Sequence, residues 1–313
     1  MIVRGDARQL PLKNESVQCV VTSPPYFQLR DYSCGPRELG SEDTPEEYVA
    51  ALLGVFREVR RVLRRDGVLW LVLGDSRWGG TPRQRALKHP VLKPKDLIGI
   101  PWRVALALQA DGWYLRADVI WAKPNPMPDP VGDRPTGAHE YVFLLSKHCN
   151  YYYDADAIAE PAITDHLSGN HFIRPHRLSW GNRGNSTYWN DVGGRRNRRD
   201  VWQLKSEPTS EGHYATFPAA LAQLCILAGS RFGDLILDPF AGSGTVGEVC
   251  SRLSRRWVGV ELSAEYVALA RQRTAEAGFV FKESIDPRID AFPDTSAEAA
   301  DKTSAKLLQR FRR

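Results

Sequence analysis

Leu235-Ile236-Leu237-Asp238-Pro239-Phe240-Ala241-Gly242-Ser243-Gly244-Thr245 is an apolar run that breaks into a glycine-rich turn and then into a helix-forming stretch. The apolar residues read as a buried strand, so the turn sits at the strand's carboxyl end, where open α/β sheets bind ligands. Gly242 and Gly244 let the backbone turn sharply and approach a ligand with no Cβ in the way. Thr245 opens the next helix, which aims free N–H groups and the positive end of the helix dipole at a bound carboxylate. Asp238 suits a cationic amine. The next strand, Trp257 to Glu261, ends in a carboxylate that can take both hydroxyls of a ribose. A nucleoside-triphosphate loop is excluded, because GxxxxGK[ST] needs a lysine that this turn lacks.

A second strand-to-loop junction lies near the start. Val17-Gln18-Cys19-Val20-Val21 delivers Thr22-Ser23-Pro24-Pro25-Tyr26. The prolines hold the backbone extended and remove two N–H donors, which leaves carbonyls to point into a pocket. Ser23 and the carbonyl of Pro24 can accept the two hydrogens of an amino group. Tyr26 offers a face for an unstacked base, and Phe27 either widens that platform or fills core. An exocyclic amine on cytosine or adenine is a poor nucleophile, since its lone pair is delocalised into the ring. Activating it is a task of positioning and electrostatics.

Together the two strings resemble the catalytic and S-adenosylmethionine (SAM) motifs of the amino-group DNA methyltransferases. Asp238 to Thr245 is similar to that family's motif I, Gly259-Val260-Glu261 to motif II, and Gly5-Asp6 to the next cofactor-edge motif, with Asp6 reaching toward adenine. Thr216-Phe217-Pro218 resembles motif X, and Trp121-Ala122-Lys123-Pro124-Asn125 resembles motif VIII. The catalytic motif precedes the cofactor motif, the order of the circularly permuted β class. The resemblance covers about residues 1–150 and 200–282.

It implies cofactor contacts at Asp6, Phe217, Asp238, Phe240, Gly242, Ser243, Gly244, Thr245, Glu261 and Leu262, with SAM as cofactor and S-adenosylhomocysteine as product. It places Ser23, Pro24, Pro25 and Tyr26 at the reacting amine of a base flipped out of double-stranded DNA. Transfer is then direct and in-line, and Cys19 and Cys34 are structural. Serine at the first motif position is the commoner form among N4-cytosine enzymes and aspartate among N6-adenine enzymes. The expected product is N4-methylcytosine, with N6-methyladenine the alternative. RNA and protein-glutamine methyltransferases carry Asn-Pro-Pro-Tyr after the cofactor motif, unlike this chain. A non-catalytic DNA-binding relative is the remoter alternative, and intact Ser23, Asp238 and Glu261 argue against it.

The implied fold is a doubly wound, mostly parallel Rossmann-like α/β sheet with helices on both faces, an antiparallel hairpin and an inserted small recognition module. The expected division is a first catalytic part over 1–149, a target-recognition insert over 150–212, the SAM-binding part over 213–282 and a weakly ordered tail over 283–313. Thr44-Pro45-Glu46-Glu47 predicts a capped helix start. The apolar period of Val49, Leu52, Leu53, Phe56, Val59 and Leu63 carries that helix to Asp66-Gly67. Val68 to Leu73 reads as a buried strand leading to Gly74-Asp75, which makes Asp75 a candidate for base or cofactor contact. Residues 77–95 read as a surface loop, and Pro101 and Gly112 bracket a short helix. Strands over 117–121 and 141–145 are joined by a proline-rich turn too short for a crossover helix. Trp121, with Lys123, either lines the base pocket or packs in the core. Helices at 218–227, from Thr245, and from Ser263 to Gly278 complete the pattern.

With 313 residues, 42% hydrophobic and 25% charged, the chain has an ordinary globular composition. No signal peptide and no membrane-spanning run is visible, so no membrane partner is expected. Five scattered cysteines without CxxC spacing point to a reducing cytoplasm. They also point away from zinc, and seven histidines without ligand spacing leave the expected metal as none. Net charge is +5, yet residues 166–205 alone carry +6, from Arg174, Arg177, Arg183, Arg195, Arg196, Arg198, Arg199 and Lys205 against Asp191 and Asp200. Such confinement is the footprint of phosphate contact, or equally of a solvated basic loop. Arg195, Arg196, Arg198 and Arg199 are the DNA-binding candidates, together with His166, His171 and His176 as phosphate contacts or solvated side chains. The insert and the loop at 27–40 should face one cleft. A cognate restriction endonuclease would act as a separate chain, and the protein itself would be a monomer or homodimer.

Overall fold

A computed structural model describes residues 1–30, 32, 34, 35, 38–161, 195–206 and 217–276. In chain order its elements are β1 (Ile2–Arg4), β2 (Val17–Thr22), α1 (Pro45–Val62), β3 (Leu63–Leu73), α2 (Pro82–Ala86), α3 (Ile100–Ala110), β4 (Tyr114–Ala122) and β5 (His139–Ser146). They continue with β6 (Glu160–Pro161), β7 (Arg195–Arg196), β8 (Val201–Gln203), α4 (Ala219–Gly229), β9 (Leu235–Asp238), α5 (Thr245–Arg252), β10 (Arg256–Glu261) and α6 (Ala264–Glu276). Eight strands pair in the order β1-β10-β9-β2-β3-β5-β4-β8. β1, β10, β9, β2 and β3 run parallel. β5 is antiparallel to both β3 and β4, and β8 pairs parallel with β4.

The alternation of side chains explains why this sheet is buried on both sides. In β3, Leu69, Leu71 and Leu73 enter one apolar cluster, while Val68, Trp70 and Val72 enter another. β5 divides Phe143 and Leu145 from Val142 and Leu144 in the same way, and β9 divides Leu235 and Leu237 from Ile236. The first face is covered by α1 and α3, through Leu52, Phe56, Val104 and Leu108. The second is covered by α4 and α5, through Leu221, Ile226, Val246 and Val249. This is the doubly wound, mostly parallel sheet with an antiparallel β4–β5 hairpin that the sequence predicts.

Three local expectations need correction. The capping box is present, with Thr44 Oγ1 accepting from Glu47 N and Glu47 Oε2 accepting from Thr44 N. The helix, however, ends at Val62, not at Asp66-Gly67. Leu63 already has extended backbone and pairs with Val17, and the register shifts before Val68 meets Cys19. Gly67 is confined by packing in that irregular stretch, because a Cβ there would lie 2.7 Å from Leu63 Cγ. Second, the stretch 77–95 is no plain surface loop. It holds α2, with its own Thr81–Gln84 capping box, and buries Trp78 and Gln84. Third, Val201–Gln203 extends the main sheet at its β4 edge, although the sequence assigns those residues to the insert.

Residues 162–194 lie outside the described residues, and with them the basic and histidine positions from His166 to Arg183. Thr216, Gly278 and the tail after it fall outside as well. Among the described residues no helix is long and apolar enough to cross a membrane.

Candidate active site

β2 and β9 are neighbours in the sheet, and the chain leaves them on opposite faces, toward α1 and α5 respectively. A crevice opens between such diverging connections at the carboxyl ends of the strands. One cavity fills it. Its walls are Ser23, Pro24, Pro25 and Tyr26 after β2, and Asp238, Phe240, Gly242, Ser243 and Thr245 at and after the end of β9. Glu261 and Leu262 enter from β10, Asp6 from the end of β1, and Phe217 from the start of α4. Residues more than two hundred positions apart thus face one space.

Asp238 is the last residue of β9 and is 3% exposed. Thr22 Oγ1 donates to it at 2.7 Å and Phe240 N at 3.1 Å. Burial pushes its carboxyl up to about 7, since a dry site solvates the charge poorly. Glu261 accepts from Gly242 N and from Ser263 N, each at 2.9 Å. These bonds fix the carboxylate while each oxygen keeps a second lone pair. Burial also raises its pKa. Gly242 has φ +49°, and a Cβ added to it would meet nothing within 4 Å. Asp6 lines the cavity but is already held by Arg8, whose Nε and Nη2 donate to it at 2.9 and 2.7 Å. Gly244 serves packing instead: it has φ +85°, and a Cβ would come within 3.0 Å of Ala270 Cβ.

Arg273 on α6 belongs to this wall from behind, although no motif marks it. Its Nη1 donates to Ser243 Oγ at 3.2 Å and Thr245 Oγ1 at 3.1 Å, and its Nε pairs with Glu248 at 2.5 Å. A buried carboxylate for a cation, a helix N-terminus for an anion and a second carboxylate for paired hydroxyls therefore share the cavity.

The Ser23-Pro24-Pro25-Tyr26 loop lines the same cavity. Tyr48 on α1 donates from its hydroxyl to the carbonyl of Pro25 at 2.7 Å. Ser23 Oγ donates to Tyr26 Oη at 3.4 Å, and Tyr26 Oη donates to Glu140 Oε2 at 2.5 Å. The ring of Tyr26 lies where a Cβ on Gly74 would stand, 2.6 Å from Tyr26 Cε2, so glycine is required there. Burial raises the Tyr26 pKa, helped by the Glu140 charge, so the phenol keeps its proton. Phe27 fills core, in tilted contact with Tyr48. From the following loop, Leu29, Arg30, Tyr32, Cys34, Glu38 and Leu39 complete the wall.

Other candidates stand behind or away from the cavity. Lys123 pairs with Glu140 and sits 4.3 Å above the ring of Trp121. Trp121 is 3% exposed, donates from Nε1 to the Leu204 carbonyl at 2.8 Å and packs in the core. Asp75 does not line the cavity. Its carboxylate accepts from Ser76 N, Gly99 N and Ile100 N, capping α3 in the absence of a side-chain cap at Gly99. Of the four arginines, Arg195 and Arg196 form β7 of the β6–β7 ribbon, and Arg198 and Arg199 follow it. Arg196 and Arg199 both pair with Glu160, Arg195 donates to the Ala159 carbonyl and Arg198 to that of Ile158. Glu140, Thr22, Tyr48 and Arg273 escaped the sequence reading because each acts through a partner remote in the chain.

The N6/N4 methyltransferase family model, described as DNA methylase, matches residues 17–272. The Type II methyltransferase M.SmaI of Serratia marcescens is 46% identical over 87% of this chain and 89% of its own length. Among solved structures, the cytosine-N4-specific PvuII DNA methyltransferase superposes with TM-score 0.62 at 22% identity, covering 92% of this chain and 89% of that one, which shows the fold. A putative DNA modification methylase from Thermus thermophilus, solved with S-adenosyl-L-methionine, gives TM-score 0.57 at 26% identity, over 89% and 95% of the two chains. On the family match and the near full-length relative, this chain belongs to the N6/N4 DNA methylase family.

Proposed function

We propose that this DNA methyltransferase carries a methyl group from SAM to the exocyclic N4 of cytosine in a base flipped out of double-stranded DNA. The observation behind the reading is the one cavity whose wall brings Ser23 and Tyr26 together with Asp238, Gly242 and Glu261. When bound, SAM supplies an electrophilic methyl group on a sulfonium.

The residues of the chain do the rest. Asp238 takes the amine of the methionine part, the N–H groups at the start of α5 face its carboxylate, and Glu261 takes the ribose hydroxyls. Phe217, Phe240 and Leu262 offer the apolar wall, and Asp6 borders the adenine. Ser23 Oγ and the Pro24 carbonyl accept the amino hydrogens and draw the nitrogen lone pair out of conjugation, while Tyr26 faces the ring. Serine at the position of Ser23 is the commoner form among the N4-cytosine enzymes that the sequence resembles, which supports cytosine N4 over adenine N6. Duplex DNA would reach the cavity past the loop at 27–40, with the insert reading sequence and its basic side chains meeting phosphates. As with relatives named Type II methyltransferases, a separate endonuclease of the same specificity is the expected companion.

The test is direct. Protein, SAM and mixed duplex DNA are incubated, the DNA is digested to nucleosides, and the products are weighed by mass spectrometry. N4-methylcytosine is expected. N6-methyladenine would overturn the base assignment, and unmodified nucleosides would overturn the activity.

A further inference from the structure

Methylating an amine leaves a proton to be removed, and the cavity wall contains a hydrogen-bonded chain that ends on a carboxylate. Ser23 Oγ donates to Tyr26 Oη at 3.4 Å, and Tyr26 Oη donates to Glu140 Oε2 at 2.5 Å. The contacts run in unbroken order from Ser23 through Tyr26 to the carboxylate. Glu140 stands at the amino end of antiparallel β5, opposite Trp121 in the register, so it reaches the same sheet edge as the parallel strands' carboxyl ends. Glu140 lines the cavity with Ser23 and Tyr26, and its side chain is 17% exposed and that of Lys123 20%.

We infer that Glu140 is the proton acceptor of the reaction, reached from the substrate amine through the hydroxyls of Ser23 and Tyr26. The inference rests on the proposed amino-methyl transfer. As the nitrogen–carbon bond forms, the sulfur–carbon bond breaks and its electron pair stays on sulfur. The nitrogen gives one hydrogen, as a proton, to Ser23 Oγ. The Ser23 proton moves to Tyr26 Oη, and the Tyr26 proton moves to Glu140 Oε2. Both hydroxyls end neutral and the carboxylate ends as a carboxylic acid, so the cationic charge of the sulfonium is cancelled. A base and a cofactor in the cavity would displace water from around the nitrogen, and the hydroxyl chain then gives the proton a route out. The raised pKa of Tyr26 suits a group that passes a proton on and never stores a charge. Lys123 holds the carboxylate in place and Glu140 sheds its proton to solvent between turnovers.

Single-turnover methyl transfer to duplex DNA tests the relay, with SAM affinity measured by calorimetry on the same proteins. Glu140→Gln is expected to slow transfer about a hundredfold, a usual loss for a missing proton acceptor, with SAM affinity within about twofold of the parent. Glu140→Ala should be as slow and should regain rate as formate is added, because formate can occupy the vacated place. With Tyr26→Phe added to Glu140→Ala, formate should restore nothing, since the path is cut before it. Should the glutamine variant unfold, Glu140→Asp keeps the charge beside Lys123 and withdraws the carboxylate from Tyr26, and it too should be slow. Parent-like transfer in either Glu140→Gln or Glu140→Asp, or a slow Glu140→Ala that formate leaves slow, overturns the relay. An inactive parent protein would overturn the proposed function itself, so the two failures are distinguishable.

Discussion

At the scale of single residues, the buried carboxyl of Asp238 sets a pH dependence. Its pKa rises from 3.8 in the unfolded chain to about 7 in the free folded protein, because burial disfavours the charge. Between those values the folded state holds a proton that the unfolded chain has lost. The free protein therefore loses stability as pH climbs through that window. A cationic amine needs the ionised form, so binding below about pH 7 must first expel that proton. SAM affinity is expected to rise by up to about tenfold per pH unit until near pH 7 and then to level off, while an α-amine stays protonated to about pH 7.7. Calorimetry at about pH 6 and about pH 7.5 measures this. Asp238→Asn should bind more weakly and with a flat profile, and a flat profile in the parent would show that Asp238 does not meet the amine.

At the scale of elements, the cofactor loop depends on how closely α5 lies against β10. Gly247 on α5 faces the indole of Trp257, and a Cβ there would fall 2.3 Å from Trp257 Cζ2. The indole cannot simply swing away, because Gly259 confines its other side: a Cβ on Gly259 would sit 2.5 Å from Trp257 Cζ3. Gly247→Ala, a change that ordinarily favours a helix by about 1 kcal/mol, should here destabilise by about 1–3 kcal/mol through overpacking. Because α5 begins at the loop, SAM affinity should fall with it. Urea melts of the parent and the variant decide the matter, and an unchanged or higher midpoint would mean that α5 shifts freely. The same packing explains which elements were legible beforehand. Both buried strands, the capped start of α1 and the start of α5 carry their own signals in apolar runs, Thr44–Glu47 and Gly244–Thr245. The end of α1, the short α2 and the edge strand β8 do not, since pairing of Leu63 with Val17 and of Trp202 with Trp121 is decided by distant partners.

At the scale of the whole molecule, the candidate site was legible where chemistry is written as contiguous strings and illegible where it crosses the sheet. The loops at 22–26 and 238–245 announce themselves. Glu140 is an ordinary residue ahead of a strand, Arg273 one of two arginines on α6, and Asp75 looked functional only because it ends a strand. Lateral order turns these into a site: β1, from the amino-terminal end of the chain, β10 and β9 lie side by side, next to β2. A ligand touching Asp6, Phe217, Asp238 and Glu261 at once would tie both ends of the chain into one cooperative unit. SAM at about a hundred times its dissociation constant should then stabilise the fold by about 2.7 kcal/mol. For a chain of this size that raises Tm by about 4–6 °C, in one transition. Ser23→Ala should keep the whole shift, whereas Glu261→Ala should lose most of it. Scanning calorimetry with and without SAM reads all three proteins. A parent that melts in two steps, with only one moved by SAM, would mean that the cofactor grips one end of the chain alone.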